Sequence, residues 1–261
     1  MNMTAILAAL AATAALAGPA KAEMIAALTG DDMIAIVDSD AKKLVKNWRI
    51  SGASGKLVGV DVRPADGMLY GLTSDGVIWT IDATGKAMQK SKLDAPLPAN
   101  VTFAVDFNPV ADRMRVIATD GTNLRINVDD GKVATDGKLK FADSDMHKGE
   151  TPKIVAGAYS NSLKGAKETA LYDIDATIGA LVKQAPPNDG VLNAIGKLGV
   201  TAASYAFDIV SDGNGGNAGW LMADANLYKV DLATGKATLA AKIDGLSGAV
   251  RDIAILPKIA P

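Results

Sequence analysis

The sequence predicts an all-β fold, a β-propeller of about five four-stranded blades closed by both chain ends. Three observations point to it. A motif of apolar residue, Asp, then often Thr-Gly-Lys recurs along the chain. Between its copies, short apolar runs alternate with turn signals. The last apolar run resembles the first strand of a unit, while the first run resembles a second strand.

The motif aspartates are Asp38, Asp82, Asp129, Asp175 and Asp231, at spacings of 44, 47, 46 and 56 residues. A second pattern precedes them. Gly59-Val60-Asp61-Val62-Arg63-Pro64 matches Ala104-Val105-Asp106-Phe107-Asn108-Pro109, shifted by 45, with weaker copies around Asp208 and Asp252. Repeats of 40 to 50 residues are the signature of propeller blades.

Residues 57–93 show one unit. The Val-rich run 57–63 is followed by a turn at Pro64-Ala65-Asp66-Gly67 and an apolar run to Thr73. Asp75-Gly76 is a hairpin turn, because Asp-Gly tolerates positive φ. A β-branched run reaches Asp82, and Ala83-Thr84-Gly85-Lys86 turns again. No helical period persists, so the unit is four strands. Residues 249–257 supply a first strand and 24–50 the other three of the same blade, which removes unpaired edges from the ring. The unit at 153–184 is the least regular. The stretch 185–200, containing Pro186-Pro187-Asn188-Asp189-Gly190, leaves a six-bladed reading open.

Residues 1–22 carry an apolar run from Ala5 to Gly18, too short to span a bilayer, ending in Ala20-Lys21-Ala22. That is a signal-peptide pattern with cleavage before Glu23, although no Lys or Arg precedes the run. The expectation is a periplasmic or secreted protein with one domain over 23–261. The chain has no cysteine, which excludes disulfides, thiol catalysis and a lipid anchor on cysteine. A mature charge of 26 − 29 = −3 does not point to nucleic acid, and no second stretch reads as a membrane span. The expected state is a monomer with an unknown ligand or envelope protein as partner.

Several segments resemble a known family. Gly59–Pro64 with Gly67-Met68-Leu69-Tyr70-Gly71, Val105–Pro109 with Asp112-Arg113-Met114-Arg115, Asn123–Asp129, and above all Gln184-Ala185-Pro186-Pro187-Asn188 look like the domain-of-unknown-function 4394 family. The resemblance covers nearly all of the mature chain. It implies export and a propeller-like β fold, and it implies no activity.

Much enzymology is excluded by inventory. His147 is the only histidine, so no two-histidine metal site can be built. It sits in a polar linker without a G-x-S-x-G elbow and reads as an exposed loop residue. Asp143, Asp145 and Glu150 beside it fail the EF-hand spacing, with Lys148 where glycine is required. Residues 211–219, rich in Gly and Asn, match no phosphate or calcium template and read as a hairpin turn.

Two carboxylate sets remain. Asp61, Asp106, Asp208 and Asp252 lie on first strands, which line the central channel. They could hold a cation there or tie adjacent blades through backbone N–H groups. Asp31, Asp75, Asp120, Glu168 and Asp224 are placed at the middle turn of each unit by counting back from the motif aspartates. They form an expected acidic rim, on the same face as connections holding Pro96-Leu97-Pro98, His147 and Pro186–Asn188, or they serve only as turn formers. The leading expectation is a non-enzymatic binding or scaffold propeller of the cell envelope with no cofactor. The alternative is a calcium- or magnesium-assisted hydrolase, lactonase-like by analogy of fold.

Overall fold

The structure is a computed structural model and describes residues 23–246 and 248–257. Five antiparallel blades stand in a ring. Blade 1 joins β21 (Val250–Ile255) to β1 (Met24–Thr29), β2 (Met33–Asp38) and β3 (Lys43–Arg49). Blade 2 is β4 (Leu57–Val62), β5 (Leu69–Thr73), β6 (Val77–Ile81) and β7 (Ala87–Lys92). Blade 3 is β8 (Phe103–Asn108), β9 (Arg113–Ala118), β10 (Asn123–Ile126) and β11 (Val133–Thr135). Blade 4 is β13 (Ile154–Tyr159), β14 (Leu171–Asp175), β15 (Ala180–Gln184) and β16 (Val191–Lys197), with the two-residue β12 (Lys140–Phe141) added parallel to β16. Blade 5 is β17 (Tyr205–Ser211), β18 (Asn217–Ala223), β19 (Asn226–Val230) and β20 (Ala237–Lys242).

The carboxy-terminal strand β21 pairs with β1 from Ile25↔Ile255 to Thr29↔Val250, so both chain ends build blade 1 as expected. The six-bladed option fails, because residues 191–197 complete blade 4 as its outer strand. The proposed signal segment lies outside the described residues. Among those described, no helix is long and apolar enough to cross a membrane.

The core lies between blades. Five apolar clusters occupy the five seams, for example Tyr70, Phe107 and Met114 between blades 2 and 3, and Ile25, Val37, Trp220 and Ile253 between blades 5 and 1. Burial follows radius. Inner β4 is buried along nearly its whole length, whereas outer β7 shows four of six residues exposed. A strand covered on both faces reads as a near-continuous apolar run, broken in four inner strands by a buried aspartate, which is why these runs lack clean alternation. Each fully buried Leu or Ile contributes about 1.5–3 kcal/mol, so the seams dominate stability.

The Thr-Gly-Lys turns are third-to-fourth hairpins that press on the preceding blade. Gly85 holds φ 84°, and a Cβ there would collide with the Trp48 ring of blade 1. Asp82 supports the turn by accepting N–H bonds from Thr84 and Lys86. Asp175 departs from this register. It ends β14, a second strand, whereas Asp38, Asp82, Asp129 and Asp231 close third strands. Its side chain instead accepts bonds from Lys153, Thr177 and Ile178 N–H.

Candidate functional site: the axial carboxylates and the cavity above them

Each inner strand begins at the inter-blade connection and ends at a first-to-second turn. The channel therefore has a lead-in end and an exit end. Asp61, Asp106, Asp208 and Asp252 all sit on inner strands and are at least 95% buried. Carboxylate oxygens of Asp61, Asp106 and Asp208 lie within 4.8 Å of one another.

Each carboxylate also reaches into the next blade. Asp61 Oδ2 accepts Phe107 N–H at 2.7 Å, and Asp106 Oδ1 accepts Tyr159 N–H at 2.9 Å. Asp208 Oδ2 accepts Ile255 N–H at 2.6 Å, and Asp252 Oδ2 accepts Val60 N–H at 2.9 Å. In Asp61, Asp208 and Asp252 the other oxygen accepts a neighbouring N–H of the same strand. The tie between blades read from the sequence is thus present.

Burial and mutual repulsion raise the proton affinity of the set. Desolvation, then the Asp208 charge, pushes Asp61 well above the usual carboxylate range. Asp106 is raised by burial and by Asp61 and Asp208. Asp208 is pushed up to about 6, chiefly by burial. Three carboxylates this close cannot all ionise without a counter-charge, so they share protons or face a cation.

At the exit end the channel opens into a cavity of about 1010 Å³. Asp61 and Asp208 stand in its wall, with Leu163, Ile209, Leu256 and Trp220 among its apolar sides. Three of the large hydrophobic side chains exposed among the described residues, Met68, Val110 and Leu163, lie on the first-to-second turns of blades 2, 3 and 4, around this end.

The expected acidic rim is not one ring. Asp31, Asp75, Asp120 and Asp224 share the second-to-third turns of their blades. Glu168 does not, because it lies in the β13–β14 connection at the exit end. The cause is the shifted register of Asp175, from which it was counted. The four remaining carboxylates make local bonds. Asp75 accepts from Thr73 and Ser54 hydroxyls, Asp224 from Ala203 and Ser204 N–H, Asp120 from Thr122 N–H, and Asp31 pairs with Lys56 at 2.9 Å. They lie away from the cavity.

His147 is half-buried against Phe141 rather than exposed, with Nδ1 3.0 Å from Glu150. Asp145 accepts Ala194 N–H and His147 N–H, so this linker is fastened to blade 4. Residues 211–217 form the β17–β18 hairpin, where Asp212 accepts Asn214 and Gly216 N–H. Pro186–Asn188 lies in a third-to-fourth hairpin within blade 4, not in an inter-blade connection. This hairpin grips blade 3. Asn188 Oδ1 accepts from Arg115 at 2.8 Å, and Pro187 O accepts from Asn123 at 2.9 Å and from Gln184 at 2.6 Å. Arg115 also pairs with Asp136 and bonds Tyr159 Oη, locking blades 3 and 4.

Asp173 was not singled out by sequence reasoning. It is fully buried beside Arg115, and neither oxygen has a hydrogen-bond partner among the described residues. Its carboxyl fills the space where a Cβ on Gly157 would stand. That glycine, in an inner strand where other blades carry aspartate, was the available signal.

A family model described as Domain of unknown function (DUF4394) matches residues 33–254. No curated protein matched the chain. Among solved structures, a protein of unknown function from Bacteroides thetaiotaomicron VPI-5482 is similar at 15% identity and TM-score 0.51, over 91% of this chain and 65% of that one. Another of unknown function, from Bacteroides caccae, is 16% identical with TM-score 0.43, over 84% of this chain and 72% of that one. At such identity, the likeness with TM-score 0.51 is one of fold.

Proposed function

The chain belongs to the DUF4394 family, and from that footing we propose that it is a non-enzymatic binding propeller of the cell envelope whose ligand sits in the exit-end cavity. One observation carries the reading. A cavity of about 1010 Å³ has two buried axial carboxylates in a largely apolar wall. Concave, mostly apolar space with a few convergent polar groups is what small-molecule sites use. The blade scaffold holds those groups rigidly, since each carboxylate is fixed by backbone N–H bonds.

The test is native mass spectrometry of protein purified from an envelope fraction. Wild-type protein should carry a small molecule that is released on denaturation. Ala218→Trp, an exposed residue of the cavity wall, should fold and carry none. Equal, empty spectra for both would overturn the reading.

A second reading rests on the 4.8 Å grouping of Asp61, Asp106 and Asp208. A hard divalent cation takes oxygen ligands at about 2.3–2.6 Å for calcium, and a metal there would polarise a substrate or activate water. Calcium or magnesium should then raise the melting temperature at millimolar concentration, and Asp106→Asn should abolish the rise. No shift in the wild type would dismiss the metal-assisted enzyme.

A further inference from the structure

A row of cross-strand neighbours runs outward from the axis on the face of blade 5 that meets blade 1. Asp208 of β17 stands opposite Trp220 of β18, Trp220 opposite Lys229 of β19, and Lys229 opposite Thr238 of β20. Adjacent strands are about 4.8 Å apart, so Asp208 and Lys229 are about 10 Å apart along the row. The exit-end cavity is lined by Asp208, Trp220 and Lys229. A second cavity of about 710 Å³, between blades 5 and 1, is lined by Trp220, Lys229 and Thr238. Trp220 and Lys229 line both spaces.

The chemistry along the row is ordered: a carboxylate, an indole, an ammonium, a hydroxyl. Asp208 Oδ2 uses one lone pair on Ile255 N–H and keeps another free to accept. Trp220 is 95% buried, and its Nε1 donor has no acceptor among the described residues. An unmet buried donor is rare and points to a missing acceptor. Lys229 Nζ lies 5.1 Å from the Trp220 ring centroid. Farther out, Lys42 and Lys236 add two ammonium groups against Asp40 and Asp231, and Asp231 already accepts Ala233 and Thr234 N–H.

We propose that the seam between blades 5 and 1 binds a short peptide in zwitterionic form. Its α-ammonium meets Asp208 and Asp61, a carbonyl takes the Trp220 indole N–H, and its α-carboxylate meets Lys229. An extended tripeptide spans about 10 Å, the same reach as the two strand spacings between the backbone positions of Asp208 and Lys229. Charge-assisted bonds at both ends would fix direction and length. This inference rests on the cavity reading above and names the class of its ligand.

The test is calorimetric titration of the mature chain with a pool of random tripeptides, with the same pool N-acetylated, and with it C-amidated. The free pool should bind, and each blocked pool should bind about tenfold more weakly. Lys229→Met, at an exposed position, should remove the difference between free and amidated pools while keeping the penalty for acetylation. Equal binding of all three pools, or binding of none, overturns the peptide. If none binds while native mass spectrometry still shows a small molecule on the wild type and none on Ala218→Trp, the peptide falls and the cavity reading stands. If that molecule is absent too, both fall.

Discussion

Asp106 on the inner strand of blade 3 accepts the backbone N–H of Tyr159 in blade 4, 2.9 Å away. The same reach recurs from blade 2 to 3, from 5 to 1 and from 1 to 2. The seam between blades 4 and 5 uses another device, the reciprocal pair Asn161 and Asn217. These aspartates therefore fasten the ring at its narrowest radius while lending their charge to the channel. Asp61→Ala strands a buried Phe107 N–H and should cost about 3 kcal/mol in chemical denaturation. Asp61→Asn keeps an acceptor and removes a like charge, so it should cost less than half of that. Equal stability of Asp61→Ala and wild type would contradict the fastening role.

Proton linkage gives a pH signature. Burial pushes the Asp208 carboxyl up to about 6 in the fold, against about 3.9 in the unfolded chain, so the unfolded chain releases its proton first as pH rises. Stability is therefore greatest below pH 4 for this group, falls between about 4 and 6, and is flat above. The loss is about 3 kcal/mol for Asp208. Asp61, Asp106, Asp173 and Asp252 are raised too and extend the fall upward. Melting temperatures from pH 4 to 8 should decline less steeply in Asp208→Asn than in wild type. Parallel curves would contradict the burial argument.

Asn188 closes the lock around Arg115, whose side chain is 97% buried. Removing one partner of a buried charge leaves it undersatisfied. Asn188→Ala should destabilise the protein by about 1.5–3 kcal/mol in urea titration, and Gln184→Ala by less, because Gln184 holds only the hairpin carbonyl. No loss in Asn188→Ala would show that the hairpin is not a lock.

The blade period, the strand order and the closure by both ends were legible because propeller blades are local: each is one meander with its own turn chemistry. The axial aspartates were legible for the same reason, since Asp61 and Asp106 recur with their flanking residues. Glu168 was misplaced because Asp175 mimics the third-strand motif while ending a second strand. The Trp220–Lys229 row could not be read, because cross-strand neighbours are set by register and the cavity by how blades 5 and 1 meet. The Gln184–Asn188 segment stood out in sequence, but its partner Arg115 lies 73 residues away.

Export is a separate expectation. Cleavage after Ala22 would leave as the first residue Glu23, which lines the exit-end cavity and whose backbone nitrogen donates to Ser39 Oγ. Amino-terminal sequencing of protein from a periplasmic or culture fraction should read Glu23-Met24-Ile25. An intact Met1 in cytoplasmic material would contradict it.

The exit-end cavity is tested most directly by a crystal structure of protein purified from its own envelope without added ligand. Continuous density of an organic molecule is expected in that cavity, contacting Asp208 and lying against Trp220. Ordered water alone in that cavity, at full occupancy of the surrounding side chains, would contradict it.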